Sequence, residues 1–488
     1  MKKKLLPALI VTGLIILVVI IMGITALINK YTPTKKTEDL KEYFNISSDD
    51  EAALIVDNEL SDYKAKIIDK KIYVDYKFVH DSLNSRFYWD ANENVLLYTT
   101  ASDIISAAAD SNSYSVTKQT NDFGYPIVKA TSDSALIALD YVKQYSNITF
   151  KSYDDPARIV ITSKWDEIDS ATVSKSTQIR VKGGIKSPIL KEVKKDDKIT
   201  ILDSGDKWDK VATEDGVIGY IKRKALSESK KTKLTNPDYE EETFTHIKKD
   251  KDICLAWNQV TSQSANSKVP QVISSTKGIN VMSPTWFYLN DNNGNLADIA
   301  SKDYVSYCHS QGIEVWGLFS NFENTDVDAA YVLTHTSTRT TLINQIMSAA
   351  FNYELDGVNI DFENITEAAY GDSYIEFIRE LAIKCHNNGI SLSVDVTVPA
   401  SFNKFFNRSD MANFADYIVI MGYDEHYKGS DAGSVSSIPW VTEGVESTLK
   451  EVPADQIILG MPFYTRIWEL TPKEDDDAVT DTEDQSKY

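Results

Sequence analysis

Hydrophobic positions along this chain follow four successive patterns. Residues 5–28 carry no charge and are almost wholly aliphatic, a run long enough to cross ~30 Å of hydrocarbon as one helix. Lys2, Lys3 and Lys4 precede it, which predicts a cytoplasmic N-terminus. The run is long for a cleaved signal peptide and no small-x-small site follows it. It therefore reads as an uncleaved anchor (a cleaved signal peptide is the alternative), and on either reading the remaining chain lies outside the cytoplasm. Residues 31–49 are polar and charged, as in a stalk.

The second pattern covers residues 50–165. A strand at 71–74, a helix running to 85 and a strand at 94–98 are followed by a similar series at 125–128, 132–144 and 158–161. Both series read strand, helix, turn, strand, which suggests an α+β region with an internal repeat. The third pattern, 170–227, is all-β: short alternating runs at 177–181, 198–202, 208–212 and 217–221 are separated by Gly, Asp and Lys turns. Residues 228–250 are charged and aperiodic and read as a linker.

In the fourth pattern, 251–488, apolar strands alternate with amphipathic helices. Strands are predicted at 253–257, 279–286, 314–319, 358–362, 391–397, 417–421 and 457–461, with helices at 297–310, 338–353, 373–388 and 441–449. Nearly all-apolar strands alternating with helices imply a parallel sheet covered by helices. The length suits a TIM-type (β/α) barrel better than a doubly wound sheet, and no glycine-rich phosphate loop follows the first strand. Such a barrel closes with eight strands. After Met461 the chain reaches an acidic tail with no apolar run, so the eighth strand and its helix are expected to be missing, as in a truncated frame or a fragment. The fold class read here is thus α/β: a barrel preceded by a small α+β region, a small all-β barrel and one membrane helix.

Composition narrows the partners. Apolar residues at 42% and aromatics at 10% suit globular folding. A formal net charge of −21 argues against a nucleic-acid partner, because phosphate binding wants a basic surface. The three cysteines, Cys254, Cys308 and Cys385, lie far apart among apolar residues and read as buried inert thiols. No Cys/His cluster has metal-ligand spacing, and nothing in the sequence speaks to oligomeric state.

The chemistry concentrates in the octet 356–363, Asp-Gly-Val-Asn-Ile-Asp-Phe-Glu. On a strand, Asn359, Asp361 and Glu363 share one face while Val358, Ile360 and Phe362 share the other. A polar row ending in two carboxylates is costly to bury without purpose, and barrel strands deliver acid–base groups to their C-terminal ends. Neighbouring carboxylates repel, so one of them holds its proton more tightly, as a general acid near neutral pH requires.

The octet resembles the Asp-Gly-x-Asp-x-Asp-x-Glu signature of glycoside hydrolase family 18. Met421-Gly-Tyr-Asp-Glu-His-Tyr resembles that family's sixth-strand motif, and Gly460-Met-Pro-Phe-Tyr its seventh-strand motif. The resemblance covers about 252–469 and is nearest to the peptidoglycan and spore-germination branch. It implies substrate-assisted hydrolysis with retention. Glu363 would protonate the glycosidic oxygen and later activate water, while the sugar's 2-acetamido carbonyl attacks the anomeric carbon. Asp361 would orient that acetamide, Tyr423 would hydrogen-bond its oxygen, and Asp424 would position the sugar. Asp356 and Asn359 complete the motif on the substrate-binding side. Trp257, Trp286, Phe319 and Tyr464 are candidate sugar platforms. Arg466 either binds substrate or pairs with a nearby acid, and His426 reads as a hydrogen-bonded loop residue. Neither metal nor cofactor is implied. The sequence departs from the family at Asn359, which replaces the usual middle Asp and cannot share a proton with Asp361, so altered pH dependence is expected.

Residues 50–165 also resemble the copper amine oxidase N-terminal-like modules of bacterial surface proteins, with no copper ligand set. Residues 170–227, with Trp208 and Gly219-Tyr220-Ile221, resemble the bacterial Src-homology-3-like barrel. The sequence reading is therefore a membrane-anchored hydrolase of N-acetylated glycans, peptidoglycan more than chitin. Its rivals are a non-catalytic wall-binding protein with a degenerate barrel and a surface scaffold carried by the N-terminal modules.

Overall fold

A computed structural model describes residues 2–363, 365, 370–469 and 486–487. The chain divides into two units, one made of residues 1–84 with 133–241 and the other of residues 85–132 with 242–488.

The first unit opens with a helix, Lys2–Tyr31, that contains an apolar stretch from Ile10 to Tyr31 with mean hydropathy 2.9. A mixed sheet follows, running spatially Thr149–Tyr153, Arg158–Thr162, Glu51–Val56, Glu59–Ile68, Lys71–Asp75 and Ala135–Ala138. Beside it an antiparallel sheet runs Ile189–Val193, Thr177–Arg180, Ile218–Lys222, Trp208–Thr213, Lys198–Asp203, Glu167–Thr172 and Lys230–Lys233. The two share one core, in which Phe44, Ala53 and Ile55 meet Val173, Ile179, Val211 and Ile221. Part of the expected 228–250 linker is therefore sheet. Lys230–Lys233 pairs with Glu167–Thr172 although all four of its side chains are exposed, and its lysines suit a sheet edge.

The expected α+β region at 50–165 is split between the units. The expected helix over 132–144 begins only at Leu139, because Ala135–Ala138 pairs with Lys71–Asp75 as a strand. Residues 87–122 leave this sheet altogether and form a five-stranded antiparallel meander in the second unit. The two strand–helix–strand series are alike in order but do not make a tertiary repeat.

In the second unit, seven parallel strands follow one another in chain order: β1 (Leu255–Asn258), β2 (Val281–Leu289), β3 (Glu314–Ser320), β4 (Gly357–Asp361), β5 (Ser391–Thr397), β6 (Tyr417–Met421) and β7 (Ile457–Gly460). Helices of this unit include α1 (Lys302–Ser310), α2 (Thr336–Tyr353), α3 (Gly371–His386), α4 (Arg408–Phe414) and α5 (Ile438–Thr448). The helix expected over 297–310 starts later because Leu296–Asp298 pairs back on β2, after which Ser301 caps α1 by accepting from Tyr304 N. The expected absence of an eighth strand concerns mainly residues 470–485, which lie outside the described residues.

The outward side chains of β4, namely Val358, Ile360 and Phe362, pack in one cluster with Leu342 and Ile346 of α2 and Phe377 and Ile378 of α3. The base of the barrel is filled by Trp316 stacked on Tyr417 at 5.5 Å, with Val281 alongside. Gly357 makes this plug possible, since a Cβ there would lie 2.6 Å from the Trp316 ring.

The meander caps the helices. Asp90 Oδ2 accepts from Thr336 N at 2.7 Å, supplying an acceptor at the start of α2. Thr99 Oγ1 donates to Glu376 at 2.7 Å, and the Tyr88 hydroxyl meets Ser373 Oγ at 2.8 Å. Helix α3 is consequently buried on nearly every side, a pattern that a helix covered only by a sheet would not need. Its buried charges are paired: Glu380 with Arg339 at 2.9 Å, and Arg379 with both Glu376 and Asp410.

Two cysteines, Cys308 and Cys385, are buried free thiols, and burial pushes Cys308 up to about 12. Cys254 is exposed rather than buried, because it precedes β1 at the base of the barrel.

Candidate functional site

The alternation along β4 sorts its polar residues by depth. Asn359 is fully buried in the barrel interior, Asp361 is 9% exposed, and Glu363, just past the strand, is open to solvent. Asn359 ties four strands together. Its Oδ1 accepts from Trp257 Nε1 at 2.9 Å and Ser283 Oγ at 3.0 Å, and its Nδ2 donates to Ser393 Oγ at 3.0 Å and Asp395 Oδ1 at 2.8 Å. Two donors on one side and two acceptors on the other fix the orientation of the amide.

Asp361 sits above this layer. Loss of hydration raises its carboxyl well above the usual range, and the charges of Asp395, Glu363 and Glu323 add to that. Asp395 is raised as well, by burial first and then by Glu363, against the lowering effects of the Asn359 amide and the Trp257 indole. Glu363 is raised by desolvation of its inner side, by Asp424 and by Glu323. A carboxyl raised above its ordinary range at the end of a barrel strand is placed to act as a general acid. The Tyr423 hydroxyl is pushed far up by burial and by the charges of Asp395, Asp361 and Glu363, so it remains a neutral donor beside them.

A second group of residues borders this centre. Asp424 adopts a left-handed backbone with φ of 64° and accepts from the Tyr464 hydroxyl and from Arg466, both at 2.6 Å. Arg466 also donates to His426 O at 2.9 Å, so of the two readings of Arg466 the structure contains the ion pair. His426 meets Ser434 O through Nδ1 at 2.9 Å. The Tyr423 ring lies edge-on to Trp257 and to Tyr464, each at 6.2 Å. Trp257 also touches the last strand: a Cβ on Gly460 would come within 2.9 Å of its ring.

Three candidates lie elsewhere. Asp356 is at the N-terminal end of β4, where it accepts from Val315 N and pairs with His309, both at 2.8 Å. Seven residues of extended chain, roughly 23 Å, separate it from Glu363, so it fastens the base of the barrel. Trp286 is fully buried on the helix side, donating to Asn266 at 2.7 Å and packing on Tyr304. A break in register between Thr285 and Phe287 makes Trp286 an extra residue that turns away from the interior. Phe319 faces outward too, stacked on Phe287 at 4.5 Å.

Sequence reasoning missed Asp395 and Glu323. The first was detectable: Ser391, Ser393, Asp395 and Thr397 form the same period-two polar row in β5 that Asn359 and Asp361 form in β4. Glu323, held by Ser320 Oγ at 2.6 Å, lies on a loop and leaves no periodic signal. Among the described residues there is no cluster of three metal-ligating side chains.

A parallel barrel with carboxyls at graded depth along and just past one strand can place acid–base groups at its mouth, and the comparisons with known proteins bear on which chemistry this is. Residues 316–488 match the model of the glycosyl hydrolases family 18. The chain is 25% identical over 194 residues to the uncharacterized glycosylase YvbX of Bacillus subtilis, covering 37% of this chain and 55% of that protein. It is 26% identical over 187 residues to the cortical fragment-lytic enzyme of the same organism, covering 36% and 43% respectively. The crystal structure of the spore cortex-lytic enzyme SleL of Bacillus megaterium aligns over 47% of this chain and 54% of that one, at 19% identity and a TM-score of 0.39. The chain thus spans about half, or less, of the length of the curated relatives named here.

Proposed function

We propose that the protein hydrolyses β-linked N-acetylhexosamine polymers by substrate-assisted retaining catalysis, outside the cytoplasm and held to the membrane by its first helix. The observation that carries this reading is the order of depth at the end of β4: a solvent-open Glu363 whose carboxyl is raised above its ordinary range, two residues beyond a buried Asp361. Glu363 protonates the glycosidic oxygen. The substrate's acetamide carbonyl attacks the anomeric carbon as the protonated glycosidic oxygen leaves, and ionised Asp361 stabilises the positive charge that develops on the oxazolinium. The Tyr423 hydroxyl, kept neutral, donates to the acetamide oxygen. Glu363, now ionised, takes a proton from the incoming water. Trp257 and Tyr464, at right angles to Tyr423, border the sugar, and Asp424 and Arg466 form its polar rim.

Peptidoglycan is favoured over chitin by the apolar N-terminal helix, which would keep the barrel beside a cell wall, and by relatives described as cortical fragment-lytic enzymes. The antiparallel sheet of the first unit would then touch the wall. Release of reducing ends from purified peptidoglycan and from chitin oligomers tests the reading, with Glu363→Gln alongside. Turnover in the parent and a loss of about 10²- to 10⁴-fold in the variant are expected. Equal rates in the two would remove Glu363 from its role. Glycan pull-down without turnover in either would favour the wall-binding rival. Membrane fractionation of the full chain and of a variant lacking residues 1–31 tests the anchor.

A further inference from the structure

The buried part of the site contains a second carboxylate that the octet does not supply. Strands β4 and β5 are parallel neighbours, with Asn359 opposite Ser393 and Ile360 opposite Val394. One step further, Asp361 stands opposite Asp395, and parallel strands lie about 4.8 Å apart. Both side chains belong to the inward rows of their strands. Asp395 is 2% exposed. Its Oδ1 accepts from Asn359, but its Oδ2 has no hydrogen-bond partner among the described residues, and neither has Asp361 Oδ1. Both atoms are shielded from solvent.

We propose that Asp395 is the positioning partner of Asp361: the two carboxyls hold one proton between them, doing for this chain what Asn359 cannot. The proposal rests on the glycosidase reading above but concerns a residue outside the octet. Ionising both groups would leave two adjacent buried anions, each with an oxygen lacking a donor, which is among the most costly states a barrel interior can adopt. A single shared proton satisfies both orphan oxygens. Asn359 cannot provide it, because Trp257 and Ser283 hold its oxygen and its amide already points at Ser393 and Asp395. Instead Asn359 braces Asp395 from below. When an acetamide N–H reaches Asp361, the proton is left on Asp395 and Asp361 becomes the full anion that the oxazolinium needs. The titratable groups facing the pair are Glu363 just past β4, Glu323 after β3, Tyr423 after β6 and Tyr374 on α3.

The experiment compares the full chain with D395N and with the exchange variant N359D/D395N, which moves the carboxyl from β5 back to β4. Two readouts are used: kcat against pH on a chitin oligomer, and the infrared band of a protonated, buried carboxyl near neutral pH. In D395N the band should lose the intensity that the pair contributes, kcat should fall about 10- to 100-fold, less than on removing the general acid, and the acidic limb should shift because Asp361 has lost the carboxyl that shared its proton. The exchange variant should regain the band and most of the rate, which a purely structural role for Asp395 would not give. A band and pH profile unchanged in D395N overturn the proposal, as does an exchange variant no better than D395N. If the parent does not hydrolyse glycan, the functional reading fails, while the infrared band still decides the proton-sharing pair.

Discussion

The indole Nε1 of Trp257, on the first barrel strand, donates to Asn359 Oδ1, on the fourth, at 2.9 Å. The bond crosses the barrel interior and couples the edge of the candidate sugar site to the buried polar layer. It also explains how one ring can border the site and still be rigid, since Gly460 leaves space for its far edge. Trp257→Phe removes the donor and leaves half of the Asn359 oxygen's partners. A loss of about 1–3 kcal/mol is expected in urea unfolding, the cost of an unsatisfied buried acceptor. Gly460→Ala keeps the donor but pushes the ring aside. It should raise KM for glycan more than it lowers unfolding stability, which steady-state kinetics beside a urea series would resolve.

Glu363 is raised by loss of hydration and then by the charges of Asp424 and Glu323. A general acid works while protonated, so activity should fall as pH rises through its pKa. Asp424→Asn removes one of the charges that raise it. The basic limb of kcat/KM should therefore move to lower pH, whatever the variant's maximal rate. A limb that stays in place would mean that the charge of Asp424 does not set the acid. Glu323→Gln should shift the limb in the same direction without freeing Tyr464 and Arg466, which Asp424 holds.

Much of this geometry is legible in the sequence because strand periodicity is a backbone property. Tyr417–Met421 and Ser391–Thr397 fall where the apolar runs put them, and β4 turns Val358 and Ile360 outward and Asn359 inward as a period of two requires. Legibility fails where one residue interrupts the period. The extra residue at Trp286 reverses which way an aromatic faces, and Phe319 shows that an aromatic near a strand end can face the helices instead of the sugar. Asp356 stands in the motif yet serves the base of the barrel, because motif spacing gives distance along a strand but not which end carries the chemistry. The meander was hidden for a different reason. Its strands look like any others, and only the buried partners on α2 and α3 assign it to the second unit.

The raised carboxyls also set a stability slope. Asp361 and Asp395 both titrate above the unfolded value of ~3.9. Between that value and their native range the folded protein binds protons that the unfolded chain has released, so stability declines as pH rises. D395N removes one of the two groups and lowers the repulsion on the other. Its urea midpoint should fall less than the parent's between about pH 5 and pH 8, and should exceed the parent's at the upper end. A functional carboxyl pair that costs stability in this way is the usual trade at an active site.

The last prediction concerns the meander's attachment. Arg339 is fully buried between Glu380 at 2.9 Å and the face of the Tyr88 ring at 5.1 Å, and it also donates to Leu333 O at 2.7 Å. Arg339→Met leaves Glu380 buried without its cation, which costs about 3–5 kcal/mol when one partner of such a pair is removed. Glu380 is already raised by burial, with Arg339 as the largest opposing influence. Without Arg339 its carboxyl should titrate higher still, so the loss of stability should be larger at alkaline than at acidic pH. Arg339→Met with Glu380→Met removes both charges and should recover most of the loss, because an apolar pair of similar volume avoids the desolvation penalty. Limited proteolysis should cut residues 85–132 faster in the single variant than in the parent or the double variant. Equal cleavage in all three would mean that the backbone and hydroxyl bonds of Asp90, Thr99 and Tyr88 hold the meander on the helices without help from the buried ion pair.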